Sequence, residues 1–274
     1  WDAKSKNVIT LGRVPTYAKG EVGLLGFAVS PDYLENGHLF ALYCPEGKKD
    51  TMRVSRFTVK EDRMDGASED ILLSWSYDDE HIFHMGGAVF MDGRGYLYIG
   101  NGDNCHWNPG LPLDLRPGRK SWDALRSAGN SQDLRGKILR INKDGTIPPD
   151  NPFYGQSGVR WEVFAYGLRN PYRIKRHPTT GAIWIGVVGP DARFDYDEYN
   201  IAQGGENFGW PRSIGRLFYN DWTPQDIPNY APPFWEYTYE TGGRSASMGP
   251  IYNHTGPNGF PSVFKDKIFV YDWA

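Results

Sequence analysis

His84 and Asp103 are the residues best placed by type and spacing to move a proton. His84 lies in His84-Met85-Gly86-Gly87-Ala88, and Asp103 follows nineteen residues later in Gly100-Asn101-Gly102-Asp103-Asn104. The first run opens an apolar segment and the second closes the next one, so an antiparallel hairpin sets both residues at one mouth. A carboxylate beside an imidazole fixes its tautomer and raises its basicity, which suits a general base. The same spacing fits a histidine turn cap and an Asx-turn at Asp103 equally well.

Leu168-Arg169-Asn170-Pro171 follows an apolar run at 161–166. Arg169 offers a rigid fork of donors for carboxylate or quinone oxygens, and Asn170 offers both a donor and an acceptor. An arginine at a strand end is also an ordinary surface residue. Asp191, Asp195, Asp197 and Glu198 put four carboxylates within eight residues, beside the Gly189-Pro190 turn. Hard oxygens grouped in this way suit Ca²⁺, although the spacing is not that of an EF-hand and a solvated acidic loop has the same composition. His106 and His254 have no metal-ligand spacing around them and read as loop residues, while Asn253-His254-Thr255 is too short a sequon to carry weight. Trp107, Trp210 and Trp235 suit either a sugar-stacking platform or packing between sheets.

Four segments with one grammar must position these residues: a polar turn opens onto an alternating apolar strand at 39–43, 96–100, 182–186 and 268–271. Taking Phe40, Leu97, Ile183 and Phe269 as equivalent, the intervals are 57, 86 and 86 residues. Further strands are expected at 53–59, 70–77 and 137–141, and a helix only at 121–128. The 33 glycines and 20 prolines, about a fifth of the chain, exclude a helical bundle. The 10 Trp, 17 Tyr and 14 Phe exclude a disordered chain, because they supply a large apolar core. Four-stranded sheets repeated about an axis, a β-propeller, fit this pattern better than a sandwich, whose strands return at shorter and more even intervals. With about four repeats and a last strand at 268–271, the ring reads as incomplete at its C-terminal end, all of 1–274 forming one domain.

A net charge of −3, with no basic run longer than three, leaves no stripe for phosphate neutralisation and argues against nucleic-acid binding. No apolar run is long enough to span a bilayer. The chain opens on Trp1, consistent with a processed or trimmed terminus. Cys44 and Cys105 are too few for a disulfide framework and leave both one bridge and two free thiols open.

Taken in order, the motifs resemble a family. His84-Met85-Gly86-Gly87, Gly100-Asn101-Gly102-Asp103, the Gly-Lys-Ile-Leu-Arg-Ile run at 136–141, Gly167-Leu168-Arg169-Asn170-Pro171, Gly189-Pro190-Asp191 with Asp197-Glu198-Tyr199-Asn200, and Asn207-Phe208-Gly209-Trp210-Pro211 look like the soluble quinoprotein glucose/sorbosone dehydrogenases. The resemblance runs from about Gly23 to Trp273. The segments 114–133 and 242–252 look closer to the large bacterial branch, often joined to cytochrome c or other domains.

The resemblance implies a six-bladed all-β propeller carrying pyrroloquinoline quinone (PQQ) and Ca²⁺, in a periplasmic or secreted enzyme. It would oxidise an aldose at C1 to the lactone and pass electrons to an external acceptor, cytochrome c among the candidates. His84 would take the anomeric hydroxyl proton while hydride leaves C1 for the quinone C5, with Asp103 orienting His84. Arg169 would polarise the quinone oxygen and Asn170 would hydrogen-bond the cofactor. Carbonyls of Gly189 and Pro190 would ligate the Ca²⁺ that clamps PQQ, and Glu198 with the Phe208 carbonyl would match a second, structural Ca²⁺ site. Two departures stand against this. Val188 replaces a cofactor-contacting Gln, and the family's clamping Lys and Arg residues lie beyond the strand ending at Trp273. The rival implied by them is a propeller that has lost the cofactor and binds carbohydrate or protein within a larger assembly. A Ca²⁺-dependent hydrolase or lactonase would need more carboxylates at the central channel.

Overall fold

Short apolar runs between turn residues form strands, and the strands form successive antiparallel meanders. The structure is a computed structural model, describing residues 4–106, 116, 119–190, 196–238, 240, 245–254 and 256–273. The first sheet is β1 (Leu24–Val29), β2 (His38–Tyr43), β3 (Thr51–Lys60) and β4 (Arg63–Ser76), paired in that order. The second is β5 (Ala88–Met91), β6 (Tyr96–Asn101), β7 (Lys137–Asn142) and β8 (Val163–Tyr166). The third pairs β9 (Pro171–Arg176), β10 (Ile183–Val187) and β11 (Tyr196–Ala202). Its fourth strand is β14 (Trp235–Thr238), reached after the hairpin of β12 (Ser213–Ile214) and β13 (Leu217–Phe218). β15 (Ala246–Ile251) pairs with β16 (Ile268–Asp272) in a two-stranded sheet.

The first strands of these sheets lie side by side, β1 against β5, β5 against β9 and β9 against β15. Sheets whose inner strands neighbour one another in sequence order define a propeller-type arrangement. The four repeats read from the sequence are the second strands β2, β6, β10 and β16. Three sit in four-stranded sheets, the fourth in the pair β15–β16.

Strand alternation assigns each face of a sheet to a different neighbour. On β6, Leu97 and Ile99 pack with Phe40, Leu42 and Met52 of the first sheet. Tyr98, pointing the other way, packs with Ile183 and Ile185 of the third. β7 repeats the division, with Leu139 and Ile141 facing the first sheet and Ile138 the third. Being covered on both faces, these strands read as nearly continuous apolar runs. Each fully buried Leu or Ile contributes about 1.5–3 kcal/mol relative to exposure.

Two expectations are corrected. The run 121–128 is not a helix: a 3₁₀ turn at Lys120–Trp122 gives way to successive turns. The Asp123 Oδ1 takes the Leu125 N–H at 2.9 Å, and such a side-chain bond competes with helical pairing. The strand expected at 70–77 is the fourteen-residue β4, whose mostly exposed polar residues hide it from an apolar pattern. Cys44 and Cys105 are both free and buried.

Candidate functional site

One end of the sheets collects the chemistry. His84 precedes β5, Asp103 follows β6, Arg169 and Asn170 link β8 to β9, Val188, Gly189 and Pro190 follow β10, and Asp197 and Glu198 open β11. Antiparallel pairing brings all of these strand ends to the same side.

His84 and Asp103 meet as the hairpin requires. His84 Nδ1 is 2.8 Å from Asp103 Oδ1, with the histidine 5% and the aspartate 0% exposed. His84 holds a left-handed backbone, φ 54°, and Gly102 lies directly beneath it. A Cβ at Gly102 would sit 1.8 Å from the His84 carbonyl oxygen, so only glycine admits this crossing. Asp103 Oδ1 also accepts the Cys105 N–H at 2.9 Å, and Oδ2 accepts the Trp210 indole N–H at 2.6 Å. Burial pushes the Asp103 pKa up, but the charge and hydrogen bond of His84, the charge of Arg169 and the Cys105 N–H outweigh it and hold it below the usual carboxylate value. An ionised Asp103 accepts from Nδ1–H, which leaves His84 Nε2 as the basic atom.

Arg169 is 4% exposed. Its Nη1 donates to the Val188 carbonyl at 3.0 Å, its guanidinium lies 5.9 Å from the Trp210 ring centre, and its own carbonyl accepts the Asp103 N–H at 2.8 Å. Asn170 uses its amide oxygen to accept the Gly86 N–H at 2.9 Å, pinning the turn that carries His84.

The acidic run divides. Asp191 and Asp195 lie outside the described residues. Pro190 is buried. Gly189 donates its N–H to Asp197 Oδ1 at 2.7 Å, and Asp197 Oδ2 accepts from the Ala246 N–H at 2.7 Å and the Tyr237 hydroxyl at 3.3 Å. Burial still raises the Asp197 pKa to about 6.

Glu198 faces away on the alternating strand. It accepts from the Gly215 N–H and from Asn200 Nδ2 at 2.9 Å. Burial, with a contribution from the charge of Glu236 opposite it on β14, pushes its pKa to about 7. Asn200 Oδ1 and Glu236 Oε2 are buried without hydrogen-bond partners. Phe208 is 1% exposed in the core between the second and third sheets. Among the described residues, no three His, Cys, Asp or Glu side chains converge as a metal site.

The other sequence candidates lie apart from the pair. His106 stacks on Trp122 at 3.6 Å and His254 lies 6.4 Å from Tyr252. Trp235 stacks on Tyr199 within the third sheet at 5.3 Å, and Trp107 is outside the described residues. Two residues of the site escaped sequence reasoning. Trp210 fits a stacking platform or packing between sheets and lies in the Asn-Phe-Gly-Trp-Pro motif, but its indole N–H on Asp103 Oδ2 is not visible in the sequence. Lys137, within the strand motif, is fully buried and donates to the Ser127, Ala128 and Arg135 carbonyls at 2.7–3.1 Å. Burial lowers its pKa to about 7.

Neighbouring antiparallel sheets with an imidazole–carboxylate pair and an arginine at one mouth define a propeller-type protein with its site at the strand ends. The chain belongs to the Glucose / Sorbosone dehydrogenase family, whose model it matches over residues 1–258. It is 32% identical over 234 residues to the aldose sugar dehydrogenase YliI of Escherichia coli K12, which covers 80% of this chain and 54% of that protein. The chain therefore spans about half of that relative's length. The PQQ-bound aldose sugar dehydrogenase of Streptomyces coelicolor superposes with a TM-score of 0.67 at 25% identity, covering 90% of this chain and 63% of that one. The Hedgehog-interacting protein of Mus musculus is 28% identical over 191 residues, 63% of this chain and 25% of its own.

Proposed function

We propose that residues 1–274 form a single domain contributing blades to a six-bladed propeller, in a PQQ- and Ca²⁺-dependent dehydrogenase that oxidises an aldose at C1 to its lactone. Electrons pass to an external acceptor, a cytochrome c being one that fits, in the periplasm or outside the cell. The observation that carries this reading is the fully buried Asp103 hydrogen-bonded to His84 Nδ1 at 2.8 Å, beside the buried Arg169. His84 takes the proton of the anomeric hydroxyl, and Asp103 holds the resulting imidazolium without itself being protonated. Arg169 supplies positive charge where negative charge develops on the acceptor, usually a large catalytic contribution. PQQ, when bound, supplies the quinone that takes up the electron pair leaving C1.

The donor set fits both groups. PQQ is anionic and rich in carbonyls, and Arg169 with the NH₂ end of Asn170 offers it a cation and a donor. Val188 cannot hydrogen-bond through its side chain, and its carbonyl is already taken by Arg169. Ca²⁺ favours carbonyl, amide and carboxylate oxygens. Gly189 and Pro190 carbonyls would hold the ion at the cofactor. Glu198 and the Phe208 carbonyl would hold the structural ion, beside the unpartnered Asn200 and Glu236 oxygens.

Adding PQQ and Ca²⁺ to the full chain and following dye reduction with a panel of aldoses tests the reading. Cofactor-dependent turnover is expected. Absence of turnover together with absence of PQQ binding sinks it. One observation favours a second reading as a protein-binding propeller, namely the similarity to Hedgehog-interacting protein. Calorimetric titration of PQQ separates them, since the binding module takes up none.

A further inference from the structure

We infer that Trp210 is the positioning residue that couples the proton-transfer pair to the cation of the site, its indole N–H locking Asp103 and its ring backing Arg169. The inference rests on the proposed dehydrogenase reading and goes beyond it by assigning a role to a residue that reading leaves without one.

Three observations converge. Asp103 is fully buried and bears three donors, two of them, His84 Nδ1 and the Cys105 N–H, on Oδ1 and one, the Trp210 indole, on Oδ2. Oδ2 has no other hydrogen-bond donor among the described residues, so the indole fixes the second oxygen while the Cys105 N–H holds the first, and together they aim Oδ1 at the imidazole. Trp210 is itself fixed, because its backbone N–H donates to the Gly167 carbonyl at 3.0 Å, two residues before Arg169. Its ring then lies 5.9 Å from the Arg169 guanidinium carbon, within the range of a cation–π contact. One side chain, 5% exposed, thus spans the turn after β6 and the turn between β8 and β9.

The bond is also costly to lose. A buried carboxylate oxygen stripped of its only donor keeps its desolvation penalty and rotates in search of another partner. Asp103 would then hold Nδ1–H less directionally, and both ring nitrogens of His84 would sample the proton. Apolar packing needs the indole ring but not its N–H, which separates this role from simple core filling.

The test replaces Trp210 by Phe, keeping the ring and deleting the donor, and compares the cofactor-free proteins by nitrogen-15 NMR of labelled histidine and tryptophan. In the wild type, a protected His84 Nδ1–H and a downfield, slowly exchanging Trp210 indole N–H are expected. In folded Trp210→Phe the His84 Nδ1–H should lose its protection by about tenfold or more. After PQQ loading, kcat should fall about 10–100-fold, the usual cost of an outer-layer hydrogen bond, with KM within about twofold. An unchanged His84 Nδ1–H in folded Trp210→Phe overturns the inference. Should that variant not fold, the wild-type indole decides: an N–H that exchanges as fast as an exposed tryptophan also overturns it. Because the NMR measurements need no cofactor, an intact lock with neither PQQ binding nor PQQ-dependent turnover would refute the dehydrogenase reading and leave the positional role standing.

Discussion

Asp103 and Glu198 are both buried carboxylates at the same end of the sheets, yet their environments push them in opposite directions. Asp103 has three hydrogen-bond donors, His84 among them, with the charge of Arg169 nearby, and its pKa falls. Glu198 has two donors and faces another acid, Glu236, and its pKa rises to about 7. Burial alone would raise both. The difference lies in where the positive charge comes from. At Asp103 the chain supplies it, so the carboxylate is ionised and ready to orient a base. At Glu198 the nearby cation among the described residues, Arg216, pairs with Glu236 Oε1 at 2.7 Å, while Asn200 Oδ1 and Glu236 Oε2 stay unpartnered, which is the setting the proposed Ca²⁺ would complete.

The largest effect expected from breaking this contrast is at the base itself. His84→Ala should abolish PQQ-dependent dye reduction and also lower the unfolding temperature, because it leaves the buried Asp103 without its ring partner; a folded variant is confirmed by circular dichroism before turnover is read. Residual turnover above a few per cent would remove His84 from its assigned role. Asp103→Asn comes next. An amide of similar shape gives Nδ1 no anionic partner and admits the wrong tautomer, so kcat should drop by about 10³–10⁴-fold, as loss of an orienting carboxylate does elsewhere. A loss of tenfold or less, measured by stopped-flow dye reduction, would make Asp103 a turn residue only.

Glu198→Gln probes the other side and should affect stability in place of chemistry. Without divalent ions at pH 8 the variant should be more stable than wild type by on the order of 2–3 kcal/mol, because the cost of an ionised buried carboxylate disappears. A flip of Asn200 gives its Oδ1 the new amide as a donor. Calcium should then stabilise the wild type and not the variant, as read from urea unfolding with and without chelator. A variant stabilised by calcium as much as the wild type would place the ion elsewhere.

The sequence shows these sites unequally, for physical reasons. The second strands of the repeats are legible because Leu97, Ile99 and Tyr98 are buried from both sides, leaving an unbroken apolar run between turns. The His84–Asp103 pair is legible because one hairpin joins it. The partner of Oδ2 is not, since Trp210 is 107 residues away and reaches Asp103 only through the stacking of two sheets. The run 121–128 has helix-forming composition, but Asp123 spends its side chain on the backbone and the chain turns instead. At Glu198 the acidic run is visible, while the separation of Asp197 from Glu198 follows from strand alternation, which composition cannot show.

The smallest expected effect is the dependence of stability on pH, and its sign tells the two carboxylates apart. Glu198 is raised from an ordinary 4.5 to about 7, so the folded protein binds more protons than the unfolded chain between those values. Its stabilising contribution is complete below about 4.5 and is lost as pH rises through 7. Asp197, raised from 3.8 to about 6, adds in the same direction. Asp103 is lowered from 3.8, so its contribution is present above that value and is lost only as pH falls through its folded pKa. In chelator, the unfolding temperature should therefore decline from pH 5 to pH 7. Above pH 7 buried Lys137, lowered to about 7, works in the opposite direction, and calcium should reverse the decline most where Glu198 is ionised. A curve that rises between pH 5 and pH 7 in chelator would mean that Glu198 already has a cation supplied by the chain, and the contrast with Asp103 would collapse.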